Sequence, residues 1–384
     1  MQLQEQGKID LDAPVSKYIN FKLGSKDKPI TIHHLLCHAS GIPELDATNA
    51  AVEKSSFIPM SSEKDFLFFI NRATSEFVDD PGNLFMYNND MYTCLGLIVE
   101  KVSKMKYSDY IKKNILKAFG MERSTYLKEE FMKTEDIITG YVPSKDGKSM
   151  EKREIKIDPL DYACGGLYSS VRDMSNYMIG LMNEGTFNNN RIVQNSSLEK
   201  MWTSYIVPPE QYGKGYGYGY EIDEDFFGYK FIGHGGNIPT SGGFFGMIPE
   251  KKIGAVVGQI PNPSVVPKAI VKAILATILG KDMNEAVPIL NAQKKIQRLL
   301  GKYSTFGMVQ LEVSLQGMGI LQATINPGQD QPMTVPLVIE DLDNLKFSIP
   351  IALPGMKMTA QGKIDQKTQK VHIQADRYHF HKVD

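Results

Sequence analysis

Apolar positions recur at helical spacing through much of the chain and at alternating spacing over its last quarter. Leu95, Ile98, Val99 and Val102 follow the i, i+3, i+4, i+7 pattern of one buried helix face. Met174, Tyr177, Met178 and Leu181 form a second apolar stripe that stops before Gly185. Ser170 and Asp173 open it like a capping box, with Asp where Glu or Gln is usual. Tyr216, Tyr218 and Tyr220 alternate with Gly215, Gly217 and Gly219, which predicts a strand with rings on one face and bare backbone on the other. Several short strands are predicted between Phe231 and Ile260, then a helix from about Pro267 to Leu279. Residues 281–297 read as a linker. Beyond it short strands recur at 310–315, 319–323, 345–349 and 370–374, the spacing of a small barrel or sandwich. At the other end, Met1 to Gln6 read as the tail of a helix stopped by Gly7. Ile30 to Leu36 read as a strand-like entry turning into a helix.

A length of 384 residues suggests two domains. The hydrophobic fraction of 42% is enough for packed cores. With 43 basic and 44 acidic residues there is no electrostatic footprint for nucleic acid. Cys37, Cys94 and Cys164 are odd in number and far apart, so they read as small core residues and not as a disulfide framework. No apolar run is long enough for a membrane span, and the best candidate, Ala269 to Leu279, carries Lys272. The opening residues carry no secretory pattern, which leaves the compartment undetermined.

Three segments carry candidate chemistry. Pro81-Gly82-Asn83-Leu84-Phe85-Met86-Tyr87-Asn88-Asn89 ends in Tyr-x-Asn. Phe231-Ile232-Gly233-His234-Gly235-Gly236-Asn237 sets His-Gly-Gly at the end of a predicted strand. His34-Leu35-Leu36-Cys37-His38-Ala39-Ser40-Gly41-Ile42-Pro43 is a helix end turning sharply at Gly41. In this order, with Gly7-Lys8-Ile9-Asp10-Leu11-Asp12-Ala13-Pro14-Val15, Gly165-Gly166-Leu167-Tyr168-Ser169-Ser170 and the Gly/Tyr strand of residues 215–220, they resemble the class C β-lactamase-like and penicillin-binding-protein-like serine hydrolases, including the CubicO-type peptidases. The resemblance spans residues 1–280. It implies an α+β fold, an antiparallel sheet flanked by helices, with a lipocalin-like β barrel over residues 298–384.

The resemblance also implies roles. In such enzymes the Ser of Ser-x-x-Lys attacks an acyl carbon and the Lys helps deprotonate it. Tyr87 would be the catalytic partner, its phenol drawn down by nearby cations. Asn89 would grip a substrate amide with its donor and acceptor. His234 stands where related enzymes often carry Lys. Gly235 and Gly236 would let a substrate lie against bare backbone, and the Asn237 N–H would be half of an oxyanion hole. The substrate would be a small molecule or peptide with an amide or ester bond, D-amino peptides included. No cofactor is implied, and association into a homo-oligomer is compatible with the sequence.

By the same resemblance, the nucleophile motif belongs upstream, on the helix whose last turns open this chain. Ser-x-x-Lys does occur at Ser25/Lys28, Ser61/Lys64, Ser103/Lys106, Ser149/Lys152 and Ser197/Lys200, so the pattern is cheap. Ser61 and Ser197 read as helix N-caps, Ser25 and Ser149 as loop residues, and Ser103 as a helix end. None stands in the family's position. The chain as given is therefore expected to be inactive, to lack two N-terminal strands of its sheet, and to be less stable than a longer form. The alternative is a non-catalytic relative that binds peptide or cell wall. A metal site is expected to be absent. His34 and His38 lie at i, i+4 without the HExxH glutamate, and His379 and His381 share a strand face without an evident third ligand. Sequencing the gene upstream of the Met1 codon checks this: an in-frame Ser-x-x-Lys shortly before it is expected, and a stop codon without one contradicts the hydrolase reading.

Overall fold

The computed structural model describes every residue except 49–61, 145–148, 261–265, 317–319, 327–330, 351–356, 366, 367, 369 and 384, together with the side chains of 289 and 290. Ser61 and Gly319 thus lie outside the described residues. The chain divides into two compact units, Met1–Lys281 and Asp282–Asp384.

The first unit is built on an antiparallel sheet of five strands in chain order: β1 (Gly215–Tyr216), β2 (Glu221–Phe226), β3 (Tyr229–Ile238), β4 (Ser241–Ile248) and β5 (Ile253–Gln259). Side chains alternate across β4, so the sheet can hold a helix on each face. Phe245 meets Tyr177 of the helix Val171–Met182, their ring centroids 6.0 Å apart. Gly246 faces the other way, where an added Cβ would lie 2.8 Å from Val271 of the helix Pro267–Ile278. The first of these helices starts as the sequence suggests, with the Ser170 hydroxyl accepting the Asp173 N–H at 3.1 Å. β5 is the last strand in the order and pairs only with β4 among the described residues.

A second core gathers Val15, Ile30, Ile32, Leu35, Ile42, Phe66, Ile70, Met91, Cys94 and Ile98. It joins the helices α1 (Ile32–Leu36), α2 (Glu63–Ile70) and α3 (Asn89–Ser103). Burying a Leu such as Leu35, with no exposed surface, stabilises by about 1.5–3 kcal/mol. The most buried face of α3 carries Met91, Cys94 and Ile98, with Leu95 and Val102 packed beside it. The stripe is thus rotated slightly from the one expected. The helix ends at Lys104 in the left-handed region, φ 60°.

The Gly/Tyr run departs from expectation. Only Gly215–Tyr216 is strand, and residues 217–220 bend between β1 and β2, with the Gly217 N–H bonded to the Tyr220 carbonyl at 2.9 Å. The three rings separate. Tyr216 bonds His234, Tyr218 bonds His33 and Tyr220 bonds Tyr177. Crowding by the preceding segment explains Gly215 and Gly217, where a Cβ would lie 2.2 Å from the Ser204 hydroxyl oxygen and from the Met201 carbonyl oxygen, whereas Gly219 takes a left-handed φ of 78°.

The second unit replaces the expected 281–297 linker with helices Met283–Ala286 and Pro288–Leu299. Among the described residues nine antiparallel strands follow: β6 (Gly301–Thr305), β7 (Val309–Gln316), β8 (Ile320–Ile325), β9 (Met333–Pro336), β10 (Val338–Asp341), β11 (Lys346–Pro350), β12 (Lys357–Ile364), β13 (Val371–Ala375) and β14 (Tyr378–Lys382). Their order is β9-β8-β7-β6-β14-β13-β12-β11-β10. The two ends of this order are neighbours in sequence, and the sheet curls into a nearly closed barrel. Leu311, Val313, Leu321, Phe347, Ile373 and Phe380 fill it at alternating positions.

The turn after α1 positions the site. His38 and Gly41 both adopt left-handed φ values, 56° and 78°. At Gly41 a Cβ would stand 2.1 Å from the Asp79 carbonyl oxygen, so only glycine fits. Gly41→Ala is expected to cost at least about 2 kcal/mol. Thermal denaturation checks this, and an unchanged Tm would contradict it.

Candidate active site

The site starts from that turn. His38 is buried and its Nδ1 accepts the Asn88 N–H at 3.1 Å, while its carbonyl accepts the Met86 N–H at 2.7 Å. An Nδ1 that accepts carries no proton, so the imidazole is neutral. Burial holds its pKa well below the usual histidine value, helped by nearby His234. The Asn88 side chain, fully buried, caps α3 by accepting the Met91 N–H at 3.0 Å. Its amide donates to the carbonyls of Ile42 at 3.1 Å and Pro43 at 2.7 Å. The Asn89 N–H donates to Glu44 Oε2 at 2.6 Å. Tyr87 and Asn89 are thereby held from both sides by one turn.

Tyr87 lies in an aromatic cluster. Its ring stacks on Tyr212 at 5.1 Å, tilts over His38 at 4.3 Å and stands 6.4 Å from His234. Tyr216, with no exposed surface, brings its hydroxyl 3.0 Å from His234 Nε2. Tyr87 and His234 therefore converge from the helical core and the sheet, as the motifs suggest.

The electrostatics differ from expectation. Burial pushes the Tyr87 phenol up, and Cys164, Tyr212, Glu44 and Glu221 push it further the same way. The cations expected to draw it down do not do so here. Burial, with Lys268 adding and a backbone hydrogen bond at Gly235 opposing, holds His234 down at about 4. At neutral pH it brings no positive charge to the place where related enzymes often carry Lys.

β3 supplies an open edge. β2 pairs with β3 only over Tyr229–Gly233, whereas β4 pairs with it through Ile238. The edge of residues 234–238 facing away from β4 thus has no strand partner among the described residues. An edge without a strand partner is the kind that can pair with an extended segment. The two glycines there differ. A Cβ on Gly235 would lie 2.7 Å from the Phe244 ring, a packing reason, whereas one on Gly236 would meet nothing within 4 Å. Gly236 is the one that borders open space. Asn237 is exposed and pairs with Gly242.

None of the described Ser-x-x-Lys serines joins this cluster. Ser25 accepts the Lys28 N–H in an exposed loop. Ser103 ends α3, and Ser149 is exposed. Ser197 is no N-cap; it lies inside the helix Asn195–Met201 and donates to Glu5 at 2.5 Å. The Cys37 thiol is pushed up to about 12 by burial and is no substitute nucleophile. Glu44, Asn88 and Tyr212 were not singled out from the sequence, and His38 and Tyr216 were noted there for other reasons, a weak metal pair and a strand pattern. His38, Asn88 and Tyr216 stood inside motifs already noted, while Glu44 and Tyr212 depend on tertiary approach.

An antiparallel sheet clasped by helices, with Tyr87 near His234 beside the unpaired end of a strand, defines the β-lactamase/transpeptidase-like class of α+β folds. Residues 1–270 match the family model described as Beta-lactamase, and the chain belongs to that family. Residues 283–381 match a model described as Pab87 octamerisation domain, which replaces the lipocalin-like label for the barrel. The octameric penicillin-binding protein homologue from Pyrococcus abyssi is similar over 100% of this chain and 84% of its own, with 34% identity and a TM-score of 0.86. A D-stereospecific amidohydrolase from Streptomyces sp. shares the fold at a TM-score of 0.51 and 23% identity, covering 67% of this chain and 76% of its own. Protein flp of Staphylococcus aureus (strain MW2) is 26% identical over 299 residues, 77% of this chain and 56% of the relative. The putative penicillin-binding protein PbpX of Bacillus subtilis (strain 168) is 30% identical over 215 residues, 53% of this chain and 46% of the relative. The chain thus spans about half the length of these curated relatives.

Glu44 gives the site a measurable pH signature. Burial, then the neighbouring Asp90 carboxylate, pushes its carboxyl up to about 7. A carboxyl raised on folding holds its proton where the unfolded chain, near about 4.3, has lost it. Stability therefore falls as pH rises between these values, and the penalty is full above the folded value. Glu44→Gln removes the titration, so its Tm relative to the parent is expected to be higher at pH 8 than at pH 5. An equal difference at both pH values contradicts this.

Proposed function

We propose that this chain carries the substrate groove and proton-handling face of a serine hydrolase that cleaves amide or ester bonds, D-amino peptides included. The observation that carries the reading is the convergence of Tyr87 and His234 beside the unpaired 234–238 edge. An extended acyl group would pair with that edge, Asn89 would hold its amide, and the Asn237 N–H would be one oxyanion donor. The nucleophile would come from a Ser-x-x-Lys segment outside residues 1–384. Its lysine is the cation that would bring the Tyr87 phenol into range for proton transfer. A non-catalytic binding role is favoured by one feature of the chain by itself: burial and neighbouring groups push the Tyr87 phenol up, away from the range that proton transfer needs.

The barrel suggests self-association, because its family model is described as an octamerisation domain and the similar Pyrococcus abyssi protein as octameric. We take the chain to form homo-oligomers through it. Light scattering is expected to give a mass several times that of one chain.

A fluorescent β-lactam or fluorophosphonate tests the hydrolase reading. The chain as given should not be acylated, and a protein extended with an upstream Ser-x-x-Lys should be. In the extended protein Tyr87→Phe should slow acylation by about 100-fold or more. Acylation of a serine within residues 1–384 would overturn the placement of the nucleophile. An extended protein that binds peptide but is never acylated would establish the binding role instead.

A further inference from the structure

Three of the seven histidines meet on the outer face of the barrel. His379 and His381 lie two residues apart on β14 and so point to the same side. The third ligand that the sequence lacked comes from the neighbouring strand. His372 of β13 is the direct register partner of His381, and side chains of such a pair stand on one face. The ring centroids are 4.8 Å apart for His372 and His381, 4.6 Å for His379 and His381, and 5.5 Å for His372 and His379. His372 Nδ1 and His381 Nδ1 approach to 2.9 Å, so one donates to the other.

A second observation points to the same place. Ser304 of β6 is the register partner of His381 on the opposite side of β14. Its hydroxyl oxygen is buried and has no hydrogen-bond partner among the described residues. A histidine that binds a metal through one nitrogen donates its other N–H to an acceptor, and an idle hydroxyl directly across the sheet offers one. Such unsatisfied buried polar atoms are rare enough to need a reason.

We propose that His372, His379 and His381 form a binding site for a first-row transition-metal dication such as Zn2+ or Ni2+, with Ser304 as the outer hydrogen-bond partner. Imidazole nitrogen suits these ions, whereas Mg2+ and Ca2+ require oxygen ligands. Three imidazoles leave the remaining position to water. No three His, Cys, Asp or Glu side chains among the described residues stand ready around an ion. Closing this site therefore takes rotation of His379 and His381, whose side chains are exposed and can change rotamer. Lys363, the register partner of His372 on β12, works against a cation and must swing aside. The ion would tie β13 to β14.

The remaining histidines are engaged elsewhere. His34 Nδ1 accepts the Thr31 N–H at 3.1 Å in a capping box of α1, His33 bonds the Tyr218 hydroxyl at 2.8 Å, and His38 and His234 belong to the aromatic cluster. The i, i+4 pair His34 and His38 is thus committed to other bonds.

Calorimetric titration of the untagged full chain with ZnCl2 and NiCl2, with MgCl2 as control, tests the site. One Zn2+ or Ni2+ per chain is expected, with no Mg2+ uptake and a Tm that rises with either metal. His379→Ala and His372→Asn should each weaken binding at least about tenfold, with the far-UV spectrum unchanged, and Ser304→Ala should weaken it by about 10–100-fold. The nitrogen hyperfine pattern of bound Cu2+ gives a readout independent of stability, and it should be lost in the His372→Asn, His379→Ala double variant. Lys363→Gln should tighten binding. No saturable uptake by the parent, or undiminished uptake by the double variant, would overturn the proposal.

Discussion

The site depends on one neutral imidazole. His38 sits in a left-handed conformation that costs about 1–2 kcal/mol for a residue with a side chain. Two bonds to the 86–88 backbone, 2.7 Å and 3.1 Å, hold it there. Because His38 accepts through Nδ1, a proton on that nitrogen would break the contact with Asn88. Burial prevents this by keeping the ring uncharged. Asn88 in turn caps α3 and clamps the carbonyls of Ile42 and Pro43, which fixes the residues on either side of it. Tyr87 and Asn89 owe their positions to this clamp, and Gly41 provides the only backbone that can close the turn.

The sheet contributes a different kind of order. β3 outruns β2, so its last five residues keep one edge free while β4 fixes the other. The paired side supplies rigidity, and the other side is the one the proposed substrate would use. Around this junction the aromatic rings of Tyr87, Tyr212 and Tyr216 lower the local polarity. Burial then favours the neutral forms of Tyr87 and His234 alike. A charge introduced into such a place acts strongly on its neighbours, because little water screens it. The arrangement is suited to responding to a lysine or a substrate carboxylate, and little suited to carrying charge by itself.

Local chemistry made much of this legible. The Ser170 cap, the strands between Phe231 and Ile260, the helix after Pro267 and the alternation of the barrel follow from spacing alone. Ordered short motifs marked Tyr87 and His234 before any contact was known. What escaped depends on tertiary approach. The Gly/Tyr run has the period of a strand, but it bends after Tyr216, with Gly219 in the left-handed region, and its three rings go to three partners. The expected linker carries two helices, the second of which delivers Leu299 to the barrel core. The pairing of Glu44 with Asp90 joins residues far apart in the chain, and that of His372 with His381 depends on the register of the β13–β14 hairpin, which the spacing of the histidines alone does not fix.

The central claim is that the free edge of β3 beside Tyr87 and His234 receives an extended substrate. Hydrogen exchange of the His234–Ile238 amides, with and without a D-amino-acid peptide amide, tests it most directly. The account predicts that the peptide slows exchange in this segment and leaves the amides of β5 unchanged. Unaltered exchange at 234–238 under saturating peptide, or protection confined to another part of the first unit, would contradict it.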